Sequence, residues 1–285
     1  MNRPPLAWRL RTRVLDDAQG TPIMGILNVT PDSFSDGGDH LDVDRAVASA
    51  KQMVTDGASL IDVGGESTRP GAAPVSEAEE LRRVVPVVRA LAHDGVVVSV
   101  DTSKPAVAAA VIEAGAEVIN DVTGLGDPDL RAVCADGGVG VVTMHMQGEP
   151  RTMQDAPTYG NVVAEVAEFL DRSVHTALAA GIDEASIVVD PGIGFGKTLE
   201  HNLELLARAG VVGRGRPVLV GHSRKRFLGT LTGLDDPKDR DAATAVVSAL
   251  AVAAGASIVR VHDVAATGVA LSVTDAIVGR GVEEG

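Results

Sequence analysis

The sequence predicts an α/β fold, a (β/α)8 TIM barrel with a short N-terminal extension. The first observation behind this prediction is that eight apolar, mostly β-branched stretches alternate with helical patterns along the 285 residues. The second is that each stretch runs out into Asn, Asp, Ser, Arg, Lys or His instead of a bland turn. Because the carboxyl ends of all strands in a parallel barrel meet on one face, these residues predict a single polar site there.

The predicted strands and helices follow one another in a regular order. The strands, with the polar residues that follow them, lie in residues 25–38, 60–71, 96–105, 117–124, 139–148, 187–197, 217–226 and 258–264. Helical patterns occupy residues 42–56, 76–93, 104–114, 127–136, 161–180, 198–209, 240–254 and 265–279. Ser76 and Glu79 have the spacing of a capping box. Gly115 and Gly255 stand between a helical pattern and a β-branched run, which is typical of helix C-caps.

The domain organisation is simple. The chain has no linker rich in Pro, Gly or Ser, so residues 23–285 are expected to form one barrel domain. Residues 1–22 are expected to be an extension with a short hairpin around Asp16–Gly20. Polar segments 30–41 and 64–75 are longer than usual βα loops, which favours a functional role for both.

Composition and charge exclude several classes of partner. The formal net charge of −14 argues against binding of nucleic acid or an anionic membrane through a broad basic surface. Cys134 is the single cysteine, so the chain has no intramolecular disulfide, and a cytoplasmic location is expected. The N-terminus shows no secretory signal. The Ala-rich stretch 243–259 approaches transmembrane length, but we interpret it as a buried helix followed by a strand.

Two polar loops follow the first two predicted strands. Asn28 leads into a loop with an isolated Phe34 and a pair of glycines, although a surface loop with capping residues would look similar. The second loop concentrates glycine amides, the hydroxyls of Ser67 and Thr68, and the guanidinium of Arg69. That combination suits phosphate oxygens, because Arg binds them bidentately and glycine lets the backbone approach. The Gly-Lys-Ser/Thr ending of a Walker loop is absent.

Asp101, Asn120 and Asp190 each end an apolar run. An alternative is that Asp101 caps a helix and Asp190 makes a turn before Pro191. A carboxylate at the mouth of a core is costly unless it is paired. Three donors and acceptors that converge in a barrel mouth suit a flat, nitrogen-rich heterocycle, since a carboxylate can accept two parallel N–H bonds.

The densest positive cluster of the chain follows the seventh predicted strand. Here Ser223 precedes Arg224 and Lys225, and Lys225 is expected to point into the site while Ser223 helps to bind an anion. A Schiff-base role for Lys225 is an alternative. Strand alternation places Arg260 and His262 on one side of the last strand. The remaining histidines have no metal-ligand spacing.

Eight motifs together make the chain resemble the bacterial dihydropteroate synthases, in order and over roughly residues 23–264. They are ILNVTPDSFSDGG, IDVGGESTRPGA, SVDTSKP, INDVTG, MHMQGEPRTMQ, DPGIGFGK, GHSRKRFLG and RVHDV. The resemblance implies a (β/α)8 barrel, a homodimer and an enzyme that joins p-aminobenzoate to (7,8-dihydropterin-6-yl)methyl diphosphate. The products are 7,8-dihydropteroate, for folate synthesis, and diphosphate, and sulfonamides mimic p-aminobenzoate in this family.

The resemblance also implies roles for individual residues. Asn28 meets a Mg2+ ion on the diphosphate, whose oxygens also meet Arg69, Arg260 and His262. Asp101, Asn120, Asp190 and Lys225 hold the pterin, with Asp190 on its amino-pyrimidinone edge and Arg260 stacked on its face.

The second substrate has its own implied neighbours. Thr68, Pro70, Phe195, Ser223 and Lys225 frame p-aminobenzoate, with its carboxylate near Ser223. Phe34 and Arg69 lie in two loops that close over the site.

The implied reaction needs no activated protein nucleophile. The C–O bond beside the electron-rich dihydropterin ionises first, with Mg2+, Arg and His stabilising diphosphate and Asp101 offsetting the pterin cation. The neutral amine of p-aminobenzoate then attacks. Asn28, Asp101, Lys225, Arg260 and His262 are the predicted catalytic residues.

Other functions remain open on the sequence. A sulfonamide-insensitive form of the same enzyme could keep all of these motifs. A non-catalytic pterin-binding paralogue would be expected to have lost Asn28, Arg69, Lys225 or His262, all of which are present. Corrinoid- or folate-dependent methyltransferases share a pterin-binding barrel but need no diphosphate-binding Arg loop.

Overall fold

A computed structural model describes residues 5–29, 39–66, 74–148 and 152–279 of the chain. Within this part, eight parallel strands form a barrel with the order β8-β7-β6-β5-β4-β3-β10-β9. These are β3 (Ile23–Asn28), β4 (Leu60–Gly64), β5 (Val98–Asp101), β6 (Val118–Asp121), β7 (Gly140–Met144), β8 (Ile187–Asp190), β9 (Leu219–Val220) and β10 (Ile258–Val261). A parallel bridge between Val189 and Val218 joins the two outer strands and closes the barrel. The predicted fold class is therefore confirmed.

Helices alternate with the strands and cover the outside of the barrel. They are α1 (Asp39–Thr55), α2 (Glu77–His93), α3 (Pro105–Ala114), α4 (Pro128–Gly137), α5 (Val162–Ala179), α6 (Leu199–Ala207), α7 (Ala209–Val212), α8 (Arg226–Thr232), α9 (Asp241–Ala253) and α10 (Val264–Val278). Short 3-10 helices at Glu184–Ser186 and Pro237–Arg240 precede β8 and α9. The predicted helical patterns correspond to all of these α-helices except α7 and α8.

The ends of α3 have the expected capping residues, whereas the capping box predicted at the start of α2 is incomplete. Pro105 begins α3 and Gly115, at φ 113°, ends it in the left-handed conformation. At α2, Ser76 Oγ accepts a hydrogen bond from Glu79 N at 3.3 Å. The predicted capping box is incomplete because the Glu79 carboxylate binds Arg82 and Arg83 instead of the backbone of Ser76. The two guanidinium groups hold the pKa of Glu79 at about 2.

The N-terminal residues form the predicted hairpin, but its turn lies elsewhere. Strands β1 (Ala7–Arg9) and β2 (Val14–Asp16) pair antiparallel, and Leu10 N donates to Arg13 O at 2.8 Å across the tip. The turn predicted around Asp16–Gly20 instead leads from β2 into the barrel. Asp16 and Asp17 accept local backbone hydrogen bonds in this connecting turn, from Ala18 N and Gly20 N, whereas the pairing of Arg9 with Val14 places the hairpin turn between β1 and β2.

The barrel interior is filled from its N-terminal end by the hairpin. Trp8 is fully buried, and its indole Nε1 donates to Ser186 O at 2.8 Å. It packs in a cluster of buried residues that point inward from the barrel strands and the extension. That cluster consists of Leu6, Trp8, Leu10, Met24, Leu60, Val118, Val142, Val188, Leu219 and Ile258. A second, larger apolar core lies between the strands and the helices.

No helix in the described ranges is long and apolar enough to cross a membrane. The Ala-rich stretch 243–259 forms most of α9 and the start of β10, as interpreted from the sequence.

Candidate active site

The inward-facing positions change from apolar to polar within two residues along several strands. Leu60, Val118 and Ile258 belong to the apolar cluster at the N-terminal end of the barrel. Two residues further on, the same faces of the strands carry Asp62, Asn120 and Arg260. Alternation in a strand keeps residues i and i+2 on one face, so these polar side chains are stacked on the apolar layer. The stack forms the floor of the site.

Asp62 is the centre of this floor. It is fully buried and accepts hydrogen bonds from Ser99 Oγ at 2.6 Å and from Asn120 Nδ2 at 3.0 Å. It also accepts from Arg260 Nε at 2.6 Å. A buried carboxylate is tolerated when it is paired and fully hydrogen bonded, and these three donors provide that. Asp62 therefore fixes the positions of Asn120 and Arg260.

Arg260 joins the floor to Asp101 at the end of β5. Its Nη2 lies 3.1 Å from Asp101 Oδ2. Burial raises the pKa of Asp101 to about 7, and the Arg260 charge opposes that rise. The alternative that Asp101 caps α3 is wrong, because Lys104 occupies the N-cap position. Asp101 is thus a titratable group that faces the barrel mouth beside a guanidinium.

A second wall of the mouth holds Asp190, Phe195 and Lys225. Asp190 Oδ1 accepts from Gly192 N at 2.7 Å, so Asp190 does make the turn that was the alternative interpretation. It also faces the site, so the two interpretations hold together. Burial raises the pKa of Asp190, and the Lys225 charge opposes that rise. The Lys225 ammonium donates to Ile193 O and lies 4.4 Å from the centre of the Phe195 ring. Burial lowers the pKa of Lys225 to about 8.

The loop after β8 lies directly on the loop after β7, and two glycines permit this approach. Gly192 has φ +66°, and a Cβ there would lie 1.9 Å from His145 O. Gly196 has φ +61°, and a Cβ there would lie 2.5 Å from Gln147 O. A side chain at either position would force the two loops apart. These glycines therefore set the height at which Phe195 stands over the barrel.

Ser223 and His262 meet between the two walls. Ser223 Oγ lies 2.9 Å from His262 Nδ1 and accepts from His262 N at 3.1 Å. The hydroxyl oxygen accepts from the backbone of His262, and its contact with Nδ1 leaves Nε2 as the ring nitrogen that does not face Ser223. The ring orientation of His262 is thereby defined by Ser223.

The start of α9 holds the loop that carries Ser223 and Lys225. Arg224 between them has φ +58°, a left-handed conformation that is strained for this residue. Its guanidinium forms two hydrogen bonds of 2.7 Å to Asp241, and its carbonyl accepts from Arg240 Nη1 at 3.0 Å. These contacts supply the free energy that keeps the strained conformation. Ser223 and Lys225 therefore point in directions that α9 helps to fix.

Asn28 ends β3 and lies half-buried beside the end of β4. A Cβ at Gly64 would be 3.7 Å from Asn28 Oδ1, so the amide oxygen lies directly beside the glycine that ends β4. Within the described ranges, no group of three or more His, Cys, Asp or Glu side chains is arranged to hold a metal ion. Mg2+ that is bound mainly by substrate phosphates and water requires no such cage. One amide oxygen at the rim fits such an ion.

Five predicted site residues lie outside the described residues: Phe34, Ser67, Thr68, Arg69 and Pro70. The described structure ends beside them at Gly65 and Glu66. Arg83 Nη1 donates to Gly65 O at 2.8 Å, and Lys104 forms ion pairs with both Glu66 and the buried Glu80. The chain entering this loop is therefore anchored to α2 and to the N-terminus of α3.

Sequence reasoning overlooked three residues of the site: Asp62, His145 and Lys197. Asp62 could have been found, because it alternates with Leu60 and Gly64 on the inward face of a predicted strand. His145 and Lys197 lie in loops without periodicity, so their burial had no signal in the sequence. Lys197 Nζ lies 2.9 Å from His145 Nδ1 and donates to Phe195 O at 2.9 Å.

The fold and the polar mouth define a barrel enzyme, and comparison with known proteins defines its class. The family model described as pterin binding enzyme matches residues 24–262. Dihydropteroate synthase of Escherichia coli is 47% identical over 268 residues, which cover 91% of this chain and 95% of that protein. A probable bifunctional folylpolyglutamate synthase/dihydropteroate synthase of Haloferax volcanii is 49% identical over 90% of this chain. The chain spans 31% of that longer protein.

Solved structures agree with these relatives. Dihydropteroate synthase of Yersinia pestis with a sulfonamide drug superimposes with a TM-score of 0.90 at 45% identity, covering 96% of this chain and 100% of that chain. The Xanthomonas albilineans enzyme with 4-aminobenzoic acid gives 0.88 at 47% identity, with coverage of 97% and 98%. The Burkholderia cenocepacia enzyme with 7,8-dihydropteroate gives 0.87 at 43% identity, with coverage of 96% and 97%.

The chain is thus a pterin-binding enzyme with a (β/α)8 barrel fold. It belongs to the dihydropteroate synthase family, whose members are transferases. The family resemblance inferred from the eight motifs is confirmed.

Proposed function

We propose that this enzyme transfers a dihydropterin-methyl group from its diphosphate to p-aminobenzoate by a dissociative, Mg2+-assisted reaction. The observation that carries the proposal is the arrangement of opposite charges on two walls of one barrel mouth. Arg260 pairs with Asp62 and Asp101 on one wall, while Lys225 lies against Phe195 on the other and is attracted by the charge of Asp190. Such a mouth can bind a polar heterocycle and stabilise charge of either sign as a bond to a leaving group breaks.

The pterin is proposed to bind on the polar floor. Asp190 uses Oδ1 for Gly192 N. Its Oδ2 faces the space left by Gly221, where a Cβ would be 3.7 Å away, and is the proposed acceptor for the amino-pyrimidinone edge. Asn120 and Asp101 reach the same floor from β6 and β5. The solved relative that holds 7,8-dihydropteroate supports this class of ligand.

The diphosphate is proposed to bind at the rim formed by the ends of β3 and β10. His262 is oriented by the contact of its Nδ1 with Ser223 Oγ, and its Nε2 is the proposed donor to a phosphate oxygen. The Asn28 amide oxygen is the proposed protein ligand of Mg2+. When bound, the ion supplies positive charge to the departing diphosphate oxygens. Asp62 and Asp101 already offset part of the positive charge of Arg260. The remaining role proposed for Arg260 is to position the pterin and the diphosphate.

The transfer proceeds by breaking the pterin C–O bond before the new C–N bond forms. Diphosphate leaves with the electron pair, and ionised Asp101 stabilises the cation that remains on the pterin. The amine of p-aminobenzoate, placed against Phe195 and Lys225, adds its lone pair to that carbon. The nitrogen then loses one proton, which the released diphosphate or water takes up. The Xanthomonas relative with 4-aminobenzoic acid supports this second substrate.

Isotope scrambling tests the dissociative order. Pterin diphosphate is labelled with 18O in the oxygen that bridges the pterin methylene carbon and phosphorus. It is incubated with enzyme and Mg2+ but without p-aminobenzoate. We expect the label to move to non-bridging positions and diphosphate to appear slowly, because the C–O bond breaks reversibly. A fully retained bridging label, in enzyme that makes dihydropteroate once p-aminobenzoate is added, would indicate direct displacement. Chelation by EDTA should suppress both signals if Mg2+ is required.

We also propose that the enzyme is a homodimer that associates through α9 and α10. Both helices expose large apolar side chains at helical spacing. They are Val246 (58% exposed) and Leu250 (64%) on α9, and Val269 (72%), Val273 (58%) and Ile277 (78%) on α10. An apolar stripe of this kind is unfavourable in water and typical of an interface between subunits.

Light scattering after size exclusion tests the dimer. Leu250→Glu and Val273→Glu are expected to convert a dimer of the wild-type chain to a monomer. Val14, which is 58% exposed on the hairpin, provides the control variant Val14→Glu. A monomeric wild-type protein, or dimers that persist in both α9 and α10 variants, would disprove the proposed interface.

A further inference from the structure

Lys197 is a buried lysine that the proposed reaction does not use. Its side chain is 3% exposed, and among the described residues no carboxylate lies within ion-pair distance of its ammonium group. Among the described residues its ammonium group contacts two acceptors, the Phe195 carbonyl and the His145 ring. Burial lowers the pKa of Lys197 to about 7, against the opposing charge of Asp190. A group kept at such an energetic cost usually serves a purpose other than stability.

His145 is suited to accept a hydrogen bond from Lys197. It is 5% exposed, and burial lowers its pKa to about 3, so the ring is neutral near pH 7. The ring edge packs against Phe169 with 4.8 Å between the ring centres. Its backbone N donates to Asp190 O at 3.0 Å, which ties it to the end of β8. His145 is therefore a fixed acceptor at the base of the loop.

The hydrogen bond from Lys197 to Phe195 reaches the site through the backbone. Phe195 N donates to Gly192 O at 3.0 Å, and Gly194 N donates to Asn202 Oδ1 at 2.7 Å, so the loop is a closed turn. A Cβ at Gly194 would lie 3.0 Å from Lys225 Cδ. The Lys225 side chain thus runs directly over this turn, and its ammonium binds the turn at Ile193 O. Any shift of the turn moves the support of Lys225.

We propose that Lys197 is a positioning residue for the p-aminobenzoate site. Held by His145, it fixes the Phe195 backbone so that the Phe195 ring and the Ile193 carbonyl hold Lys225 in place. Lys197 acts through Phe195 and Lys225 and does not itself touch the substrate. The inference rests on the proposed function, because it presumes that p-aminobenzoate binds between Phe195 and Lys225.

The test compares steady-state constants and melting temperature in four variants. Lys197→Met keeps the length of the side chain but removes its charge and donors. His145→Leu removes the acceptor, whereas His145→Asn keeps an acceptor oxygen near the position of Nδ1. Asp275→Asn weakens the buried hydrogen bonds from Thr21, far from the mouth, and is the control for a purely structural loss.

We expect Lys197→Met to raise the KM for p-aminobenzoate at least tenfold and to change the KM for pterin diphosphate less than threefold. Its melting temperature should equal or exceed that of the wild type, because an isosteric apolar side chain replaces a buried charge. His145→Leu should share the KM change, and His145→Asn should largely restore the wild-type value. Asp275→Asn should lower the melting temperature with both KM values unchanged.

Two kinds of failure can be told apart. If the wild-type enzyme forms no dihydropteroate, the proposed function fails and the inference fails with it. If the wild type turns over and Lys197→Met keeps the wild-type KM for p-aminobenzoate, the inference alone is wrong. Equal increases of both KM values together with a lower melting temperature would show that Lys197 is merely structural.

Discussion

The two ends of the barrel interior are built from the same strands but differ in chemistry. At the N-terminal end, Trp8 and the inward-facing Leu60 and Ile258 form a dry, fully buried cluster. At the C-terminal end, Asp62 and Arg260 stand two residues further along and form an ion pair. The first end is held by apolar packing, and the second by charges that burial makes expensive. Stability and catalysis are therefore carried by different layers of one structure.

The difference teaches how a barrel keeps a polar site without losing its core. The apolar layer excludes water from below, so the charges above it interact in surroundings of low polarity. Burial is the first cause of the raised pKa of Asp101 and of the lowered pKa of Lys225. The apolar cluster at the N-terminal end thus influences the pKa values at the C-terminal end.

The largest expected effect is a loss of stability without a loss of activity, caused by a substitution at the N-terminal end of the barrel. Trp8→Ala should lower the free energy of unfolding by about 3–5 kcal/mol, because it leaves a large cavity in the apolar cluster. The kcat and KM values of the folded enzyme should stay within twofold of the wild type. Urea unfolding and steady-state assays below the transition measure both. Trp8→Phe, which loses the hydrogen bond to Ser186 O but fills most of the space, should cost about 1 kcal/mol.

Lys225→Ala should have the reverse effect. Loss of its ammonium from the mouth should lower kcat/KM on the order of 10²- to 10³-fold, as expected for one electrostatic contact in a desolvated site. The melting temperature should change much less than in Trp8→Ala, since the Lys225 side chain is only half-buried. Lys238→Ala, at an exposed lysine near the start of α9, is the control. Near-normal turnover of Lys225→Ala would remove Lys225 from the mechanism. A borohydride-trapped adduct on Lys225 of the wild-type enzyme would support the Schiff-base alternative.

The pH dependence should report the groups at the mouth. Asp101 must be ionised and Lys225 protonated, so kcat/KM should rise as pH passes about 7 and fall above about 8. Each limb should approach about a tenfold change per pH unit. Asp101→Asn should remove the acidic limb and Lys225→Arg the alkaline limb, both at reduced rate. A profile that is unchanged in these variants would assign the limbs to other groups.

A smaller effect is expected where α9 holds the Ser223–Lys225 loop. Asp241→Asn weakens the bidentate contact to Arg224, which is partly exposed and therefore contributes only about 1 kcal/mol. The KM for p-aminobenzoate should increase about 3- to 10-fold, with a melting temperature close to that of the wild type. Asp239→Asn, at an exposed carboxylate of the preceding 3-10 helix, should leave KM unchanged. Identical KM values in the two variants would show that the contact does not position the loop.

Much of the site was predictable because strand periodicity is a local property. Asp101 and Asp190 end their strands, Asn120 and Arg260 lie one residue before the ends of theirs, and the structure brings all four to one barrel mouth. The same alternation contains Asp62, which we overlooked because it lies inside a strand rather than at its end. The roles of these residues in binding and catalysis remain predictions for the experiments above.

Other features could not be predicted, because they depend on contacts between distant segments. The sequence predicts a hairpin around Asp16–Gly20, but the pairing of β1 with β2 places its turn at Leu10–Arg13. The strained conformation of Arg224 is set by Asp241 and Arg240 on a later helix. Neither partner is identified by local sequence.

The sequence by itself determined the order of strands and helices, the closed α/β barrel and the face on which the polar strand ends gather. It could do so because apolar periodicity and helix caps act within a few residues of the chain. Only the tertiary structure decided that Trp8 closes the opposite end, that Asp62 anchors Arg260, and that Lys197 is buried against His145. Those outcomes depend on burial and on hydrogen bonds between residues far apart in sequence, which no local pattern encodes.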